Sequence, residues 1–264
     1  AACGSGQSTA SNSTDSDDIT QQTYKPGKLT IATGQPAYEP WVMNDKPESG
    51  EGYEAAVAYA VADKLGFKKS DVVWTRTAFD TAIAPGTKDW DFNIQQFGIT
   101  DERKKAVDFS SSYYNDSQSV VVKKDSKFAN ATKVSDLKDA TVGVMVGTLA
   151  YDYAKANIKD DIQTFNDDAA LAQALDAGQI DALVTSTVEC VYMVQSEQVK
   201  DAKVLGRLPD SEDKSGMGIV LPKDSKLTAA VTKAVDDLNA DGTIKKLQDK
   251  WLAEYTTDLT ELKK

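Results

Sequence analysis

Residues 141–184 read TVGVMVGTLAYDYAKANIKDDIQTFNDDAALAQALDAGQIDALV, and this stretch decides the fold class. The apolar run at 141–146 is predicted to be a strand. Gly147-Thr148 then opens a helix, with the Thr148 hydroxyl suited to its N-cap. Ile162–Phe165 reads as a second strand, residues 168–177 as an amphipathic helix stopped by Gly178, and residues 180–184 as a third strand. Strands separated so regularly by helices predict an α/β fold with mostly parallel sheets.

The same alternation continues on both sides. Residues 29–32 read as a strand, followed by a Pro-rich loop at 35–41. Between residues 52 and 66, Tyr53, Ala56, Val57, Ala60, Val61 and Leu65 recur at helical spacing, closed by Gly66. Residues 71–74 and 92–94 are short strands flanking a helix punctuated by Pro and Gly, and residues 120–122 form a buried-strand run. Further strands are predicted at 204–205 and 217–221, then helices at 226–239 and 243–255. The last helix places Ile244, Leu247, Trp251 and Tyr255 on one face, the pattern of a core-facing helix.

Composition narrows the function classes. A chain of 264 residues, 41% hydrophobic, can bury one large core or two modest ones. The net charge of −11 argues against nucleic acid or an anionic membrane surface as partner, since both reward basic patches. The sequence contains no histidine, which excludes a Ser-His-Asp triad, a Cys-His pair and His-ligated zinc. Its two cysteines, Cys3 in a polar tail and Cys190 in the apolar run 188–194, suggest neither a disulfide framework nor a metal site. No apolar run reaches the roughly 18 residues that span a bilayer. The first 26 residues, rich in Ser, Thr, Gly, Gln and Asp, hold too little apolar surface to offset their ordering entropy and are predicted to be a disordered tether.

Residues 96–114 read QFGITDERKKAVDFSSSYY and resemble the signature of the polar-amino-acid family of ABC-transporter solute-binding proteins. Other blocks agree in order and spacing: Tyr38-Glu39-Pro40-Trp41, Gly52-Tyr53-Glu54 before an Ala-rich helix, Gly143-Val144-Met145-Val146-Gly147-Thr148, and the ending Ala240-Asp241-Gly242-Thr243-Ile244 with Lys250-Trp251. The resemblance covers residues 28–255. It implies two lobes, each a mostly parallel sheet flanked by helices, joined by two hinge strands. Residues 27–121 with 218–264 form the first lobe and 122–217 the second, with crossings at 119–123 and 217–221. The opening Ala1-Ala2-Cys3-Gly4-Ser5 resembles the end of a bacterial lipobox. A diacylated Cys3 would anchor the mature chain, after removal of a signal peptide, to the extracellular face of the cell membrane.

The resemblance also assigns a site for a small amino-acid-like solute. Arg103 clamps the ligand's α-carboxylate, a task suited to the planar guanidinium fork. Gln96 and Gly98 offer backbone groups, and Gly98 lacks the hydroxyl common at its position. Thr148 and the N–H of Leu149 face the carboxylate from the second lobe at a helix start. Tyr38 and Phe79 sandwich the ligand side chain, with Trp41 nearby, and a neutral Gln35 stands where binders of basic amino acids often carry an acid. Ser186 replaces the aspartate that many relatives use for the α-ammonium. Either Glu189, Glu39 or another acid compensates, or the ligand is not a standard α-amino acid.

The function implied is the binding component of an importer, closing its lobes on the ligand and serving a permease as a monomer, with no cofactor, metal or nucleic acid. A solute-sensing receptor domain, or less favourably a dehydratase-type enzyme on the same fold, is the alternative. Without histidine or a paired acid–base motif, catalysis is not expected.

Overall fold

The computed structural model describes residues 18–256 and 259–264. Strand β1 (Leu29–Thr33) is buried along its whole length because sheet neighbours flank both edges and two apolar clusters cover its faces, one holding Leu29 and Ile31 and the other Ala32. It pairs in parallel with β2 (Val72–Arg76) and β3 (Phe92–Asn93), in registers that set Leu29 opposite Val72 and Ile31 opposite Phe92. Strand β10 (Met217–Pro222) lies antiparallel between β3 and β4 (Val107–Tyr114), giving the order β2-β1-β3-β10-β4.

The second sheet repeats the plan with β5 (Gln118–Lys123), β6 (Val142–Met145), β7 (Ile162–Phe165), β8 (Ala182–Ser186) and β9 (Ala202–Arg207), in the order β7-β6-β8-β5-β9. Here β6 is parallel to β7 and β8, while β5 is antiparallel to β8 and β9. Each sheet is therefore mixed: four of its five strands share one direction and the fifth, β10 or β5, opposes them.

Helices α1 (Tyr53–Lys64), α7 (Thr228–Ala240) and α8 (Thr243–Trp251) cover the first sheet. Val57 and Val61 of α1 and Val231 and Val235 of α7 join Leu29, Ile31, Phe92 and Ile219 in its core. The turn into α1 needs glycine, because Gly52 has φ +106° and a Cβ there would lie 2.5 Å from the Trp41 carbonyl oxygen. In the second lobe, α4 (Leu149–Asn157) and α5 (Asp168–Asp176) pack on β6 and its neighbours. Gly143 permits that closeness, since a Cβ would meet Ile180 Cδ1 at 2.7 Å and Phe165 Cε2 at 3.0 Å.

Helix α6 (Thr187–Gln195) belongs to both halves. Its Val188 and Val191 enter the first core, while Cys190, a buried free thiol, and Met193 enter the second. Both crossings of the chain run beside it. The first occupies residues 115–117, slightly earlier than 119–123, because β5 pairs with β8 and β9 along its length and Val120 and Val122 pack in the second core. The return occupies residues 208–216 and leads directly into β10.

The two crossings are stitched together. Asp213 N–H donates to the Asp116 carbonyl (2.7 Å), Leu208 N–H to the Gln118 carbonyl (2.8 Å), and Gln118 N–H to Ser211 Oγ (2.9 Å). The Asp116 carboxylate, 5% exposed, accepts from Ser117 N–H (2.8 Å) and, at 3.5 Å, from Val188 N–H in the first turn of α6. Burial nevertheless pushes its pKa up to about 7.

Two tail expectations are corrected. The described part of the tether, residues 18–26, is ordered: Ile19 packs against the first core and Asp18 accepts from Thr20 N–H. Tyr24 N–H donates to Asp91 Oδ1 (2.7 Å), and the other Asp91 oxygen takes Thr30 N–H (2.7 Å). Polar composition concealed this anchoring because the partner carboxylate is distant in sequence. Cys3 and the lipobox-like residues lie outside the described residues.

The C-terminus, expected in the first lobe, ends on the second. Arg207 N–H donates to the Thr260 carbonyl (2.8 Å), Leu262 N–H to the Arg207 carbonyl (2.9 Å), and Lys263 N–H to the Thr132 carbonyl (2.9 Å). Leu262, 2% exposed, fills the second core. The open edge of β9 supplies the hydrogen-bonding groups that hold this segment.

Candidate functional site

A cavity of about 400 Å³ lies between the lobes at the carboxyl ends of β1, β3 and β6. Loops that leave parallel strands at this end converge with free backbone groups, which is why open α/β sheets bind ligands there. Thr33, Gly34, Tyr38, Phe79, Gln95 and Gln96 form the first-lobe wall, and Met145, Asp167 and Asp168 the opposite wall. Two larger surface hollows, about 700 and 590 Å³, lie where the crossings meet the C-terminal segment and beside Trp90. Neither is lined by both sets of strand ends.

Helix α2 (Phe79–Ala82) presents Phe79, whose ring packs on Phe97 with centroids 4.7 Å apart. Arg103 also lies over this ring, with Cζ 5.4 Å from the centroid. Arg103 belongs to the short helix α3 (Asp101–Lys104), started by Thr100, whose Oγ1 accepts from Arg103 N–H (3.0 Å). Its Nη1 donates to the Gly98 carbonyl (2.8 Å), and no other acceptor is recorded on the guanidinium among the described residues. Burial lowers the Arg103 pKa against the opposing pull of Asp80, yet an arginine stays charged. Arg103 thus stands at the cavity's edge behind Phe79 rather than lining it.

Gly98 pairs with Met217 across hydrogen bonds from Gly218 N–H to the Phe97 carbonyl (3.0 Å) and Ile99 N–H to the Gly216 carbonyl (2.9 Å). In that pattern its own N–H and carbonyl point away from β10, and the carbonyl meets Arg103.

Gln96 adopts φ +54°, a conformation that a residue with a Cβ keeps only when its surroundings impose it. Glu54, in the first turn of α1 and 0% exposed, imposes it. One carboxylate oxygen accepts from Gln96 N–H (2.8 Å) and the Tyr113 hydroxyl, and the other from Gln96 Nε2. Burial pushes the Glu54 pKa up to about 7 against these donors. The sequence reading placed Glu54 only in a helix-start block; its tie to Gln96 depends on tertiary contact.

The remaining predicted residues divide. Tyr38, 52% exposed, lines the cavity and meets Tyr192 of α6 edge to face, with centroids 6.3 Å apart. Trp41 is core, packed on Tyr53 and Tyr114. Gln35 is exposed and outside the lining. Thr148 caps α4, accepting from Tyr151 N–H (3.3 Å) and donating to the Met145 carbonyl (2.7 Å). It and the 48%-exposed Leu149 follow the lining Met145 without lining the cavity themselves.

Ser186 ends β8 at the N-cap position of α6 with no capping hydrogen bond, and it too lies outside the lining. Of the acids weighed against it, Glu39 accepts from Asn44 N–H (3.2 Å). Glu189, in the first turn of α6, has its pKa pushed up to about 8, chiefly by burial and then by the charges of Asp168 and Asp116. Asp168, unremarked in the sequence except as a helix start, lines the cavity, and burial raises its pKa. Gln95, beside the quoted block, was also missed.

Two α/β lobes joined by stitched crossings, with a strand-end cavity between them, define a two-lobe solute-binding protein. Residues 29–254 match the bacterial extracellular solute-binding proteins, family 3, and the chain belongs to that family. It is 29% identical to the L-arginine-binding protein of Pseudomonas aeruginosa, over 87% of this chain and 88% of that protein. It is 30% identical to the L-cystine-binding protein TcyJ of Escherichia coli K12, over 83% of this chain and 81% of that one. Among solved structures, an ancestral arginine-binding protein bound to arginine superposes with a TM-score of 0.63 at 31% identity, covering 86% of this chain and 98% of that one. These relatives are binding proteins, and this chain is the binding component of an ABC importer rather than an enzyme.

Proposed function

We propose that the protein captures a small L-α-amino acid by closing its lobes and delivers it to a membrane permease. The observation that carries this is Arg103: a charged guanidinium held over Phe79 at the cavity's edge, with one donor on the Gly98 carbonyl and the rest of its fork available to a carboxylate. The names of the relatives, an L-arginine binder and an L-cystine binder, support an amino acid of that length, and a cavity of about 400 Å³ accommodates one. Closure follows from contacts on both lobes, Arg103 and Gly98 on one and the helix start at Thr148-Leu149 on the other. A ligand shifts the open–closed equilibrium only by its differential affinity for the two forms. Acylation of Cys3 holds the protein at the membrane; metabolic labelling with palmitate, lost in Cys3→Ser, tests that anchor.

The functional test is thermal unfolding of refolded, ligand-free protein against the twenty amino acids, L-cystine and carboxylates lacking an α-amino group. A ligand at about 100 times its Kd stabilises by about 2.7 kcal/mol, a shift of roughly 5–10 °C for a chain of this size. A shift with L-arginine, L-cystine or another L-amino acid supports the proposal. A panel in which no amino acid moves the midpoint overturns it.

A further inference from the structure

The cavity holds negative charge and an unanswered acceptor, and no lysine or arginine lines it. On the second-lobe wall, the Asp168 carboxylate has a single recorded side-chain partner, Thr185 Oγ1 at 3.5 Å, the outer limit of a hydrogen bond. Behind it, Glu189 has no hydrogen bond or ion pair recorded among the described residues. On the facing wall, Gln95 Oε1 is buried from solvent and has no donor. Its amide is held close over Gly34: a Cβ on that residue would lie 2.7 Å from Gln95 Nε2. Buried polar atoms are nearly always paired, so an orphaned oxygen in a ligand cavity marks where a donor arrives. Among the described residues, no group of three or more His, Cys, Asp or Glu could hold a metal ion.

We propose that Asp168 and Gln95 together receive a cationic nitrogen of the ligand, Asp168 supplying the negative charge that Ser186 lacks. The two groups sit on opposite lobes, so one nitrogen bridging them draws the lobes together. Asp168 and Gln95 are then specificity residues: they favour ligands with a cationic N–H donor and reject neutral isosteres, which would leave both acceptors unpaired. This inference rests on the amino-acid reading above. The nitrogen is an ammonium or guanidinium, at the α-position or on the side chain.

The test is isothermal titration of the refolded full-length protein with L-arginine. Wild type is compared with Asp168→Asn, Gln95→Leu and the double variant, all checked for a thermal midpoint near wild type. Asp168→Asn should weaken binding at least 30-fold and Gln95→Leu at least fivefold. The double variant should lose clearly less than the product of the two, because both groups hold the same nitrogen. L-Norvaline and 5-guanidinopentanoate separate the two sources: the analogue that lacks the held nitrogen binds wild type and Asp168→Asn alike. A loss under threefold for Asp168→Asn, or losses that multiply in full, overturns the inference and leaves the amino-acid reading intact. Wild type that binds none of the twenty amino acids and no L-cystine overturns both.

Discussion

Glu54→Gln isolates the buried carboxyl that holds Gln96. The folded pKa of Glu54 is about 7 against an ordinary 4.5, so its neutral form is favoured in the fold. For a raised pKa, the stabilising contribution is complete below about pH 4.5 and is lost as pH rises through about 7. A difference of roughly 2.5 pKa units at 1.36 kcal/mol each corresponds to about 3 kcal/mol lost between pH 4.5 and 8. Glutamine has nearly the same shape and no titration. Its oxygen can accept from Gln96 N–H and Tyr113 as one carboxylate oxygen does now, and its amide can donate to a flipped Gln96 side chain. Guanidinium denaturation of both proteins across that pH range measures the difference directly. The wild-type stability should fall relative to Glu54→Gln by about 3 kcal/mol toward pH 8, in the same buffers. Two curves that remain parallel within about 0.5 kcal/mol would refute the claim that Glu54 titrates in the folded protein near neutrality.

Leu262→Ala should cost about 2–3 kcal/mol by denaturant unfolding, because this side chain fills the second core. A cost below about 0.5 kcal/mol would show that the C-terminal segment does not dock on the second lobe. Gly143→Ala should destabilise by about 1–3 kcal/mol, since its Cβ would crowd Ile180, Phe165 and Leu171. An unchanged thermal midpoint would contradict the close packing of α5 on β6.

The legible part of the fold was that driven by local pattern. The 141–184 stretch announced its strands and helices because apolar period and caps fall together: Thr148 and Asp167 each accept from a backbone N–H of the helix they start. Strand β4 was less visible, since its buried positions, Val107, Ser110 and Tyr113, recur every third residue rather than alternating. The ordered segment 18–26 and the docked C-terminus were illegible because both depend on partners far along the chain, Asp91 in one case and Arg207 and Thr132 in the other.

At the site, the first-lobe residues carried by the 96–114 block converge around Phe79 and Gly98, because residues 96–104 form one turn and one short helix ahead of β4. Asp168 and Gln95 could not be recognised from type. An aspartate at a helix start is ordinary, and only the facing wall of the other lobe turns it into part of a cavity.

Titration of Arg103→Ala beside wild type, with whichever L-amino acid most raises the thermal midpoint, is the most direct measurement of the central claim. Removing one member of a buried charged pair costs roughly 3–5 kcal/mol, more than a hundredfold in Kd. The account predicts that loss with the unliganded thermal midpoint within a few degrees of wild type. An affinity within threefold of wild type would contradict it, since the carboxylate would then be held elsewhere.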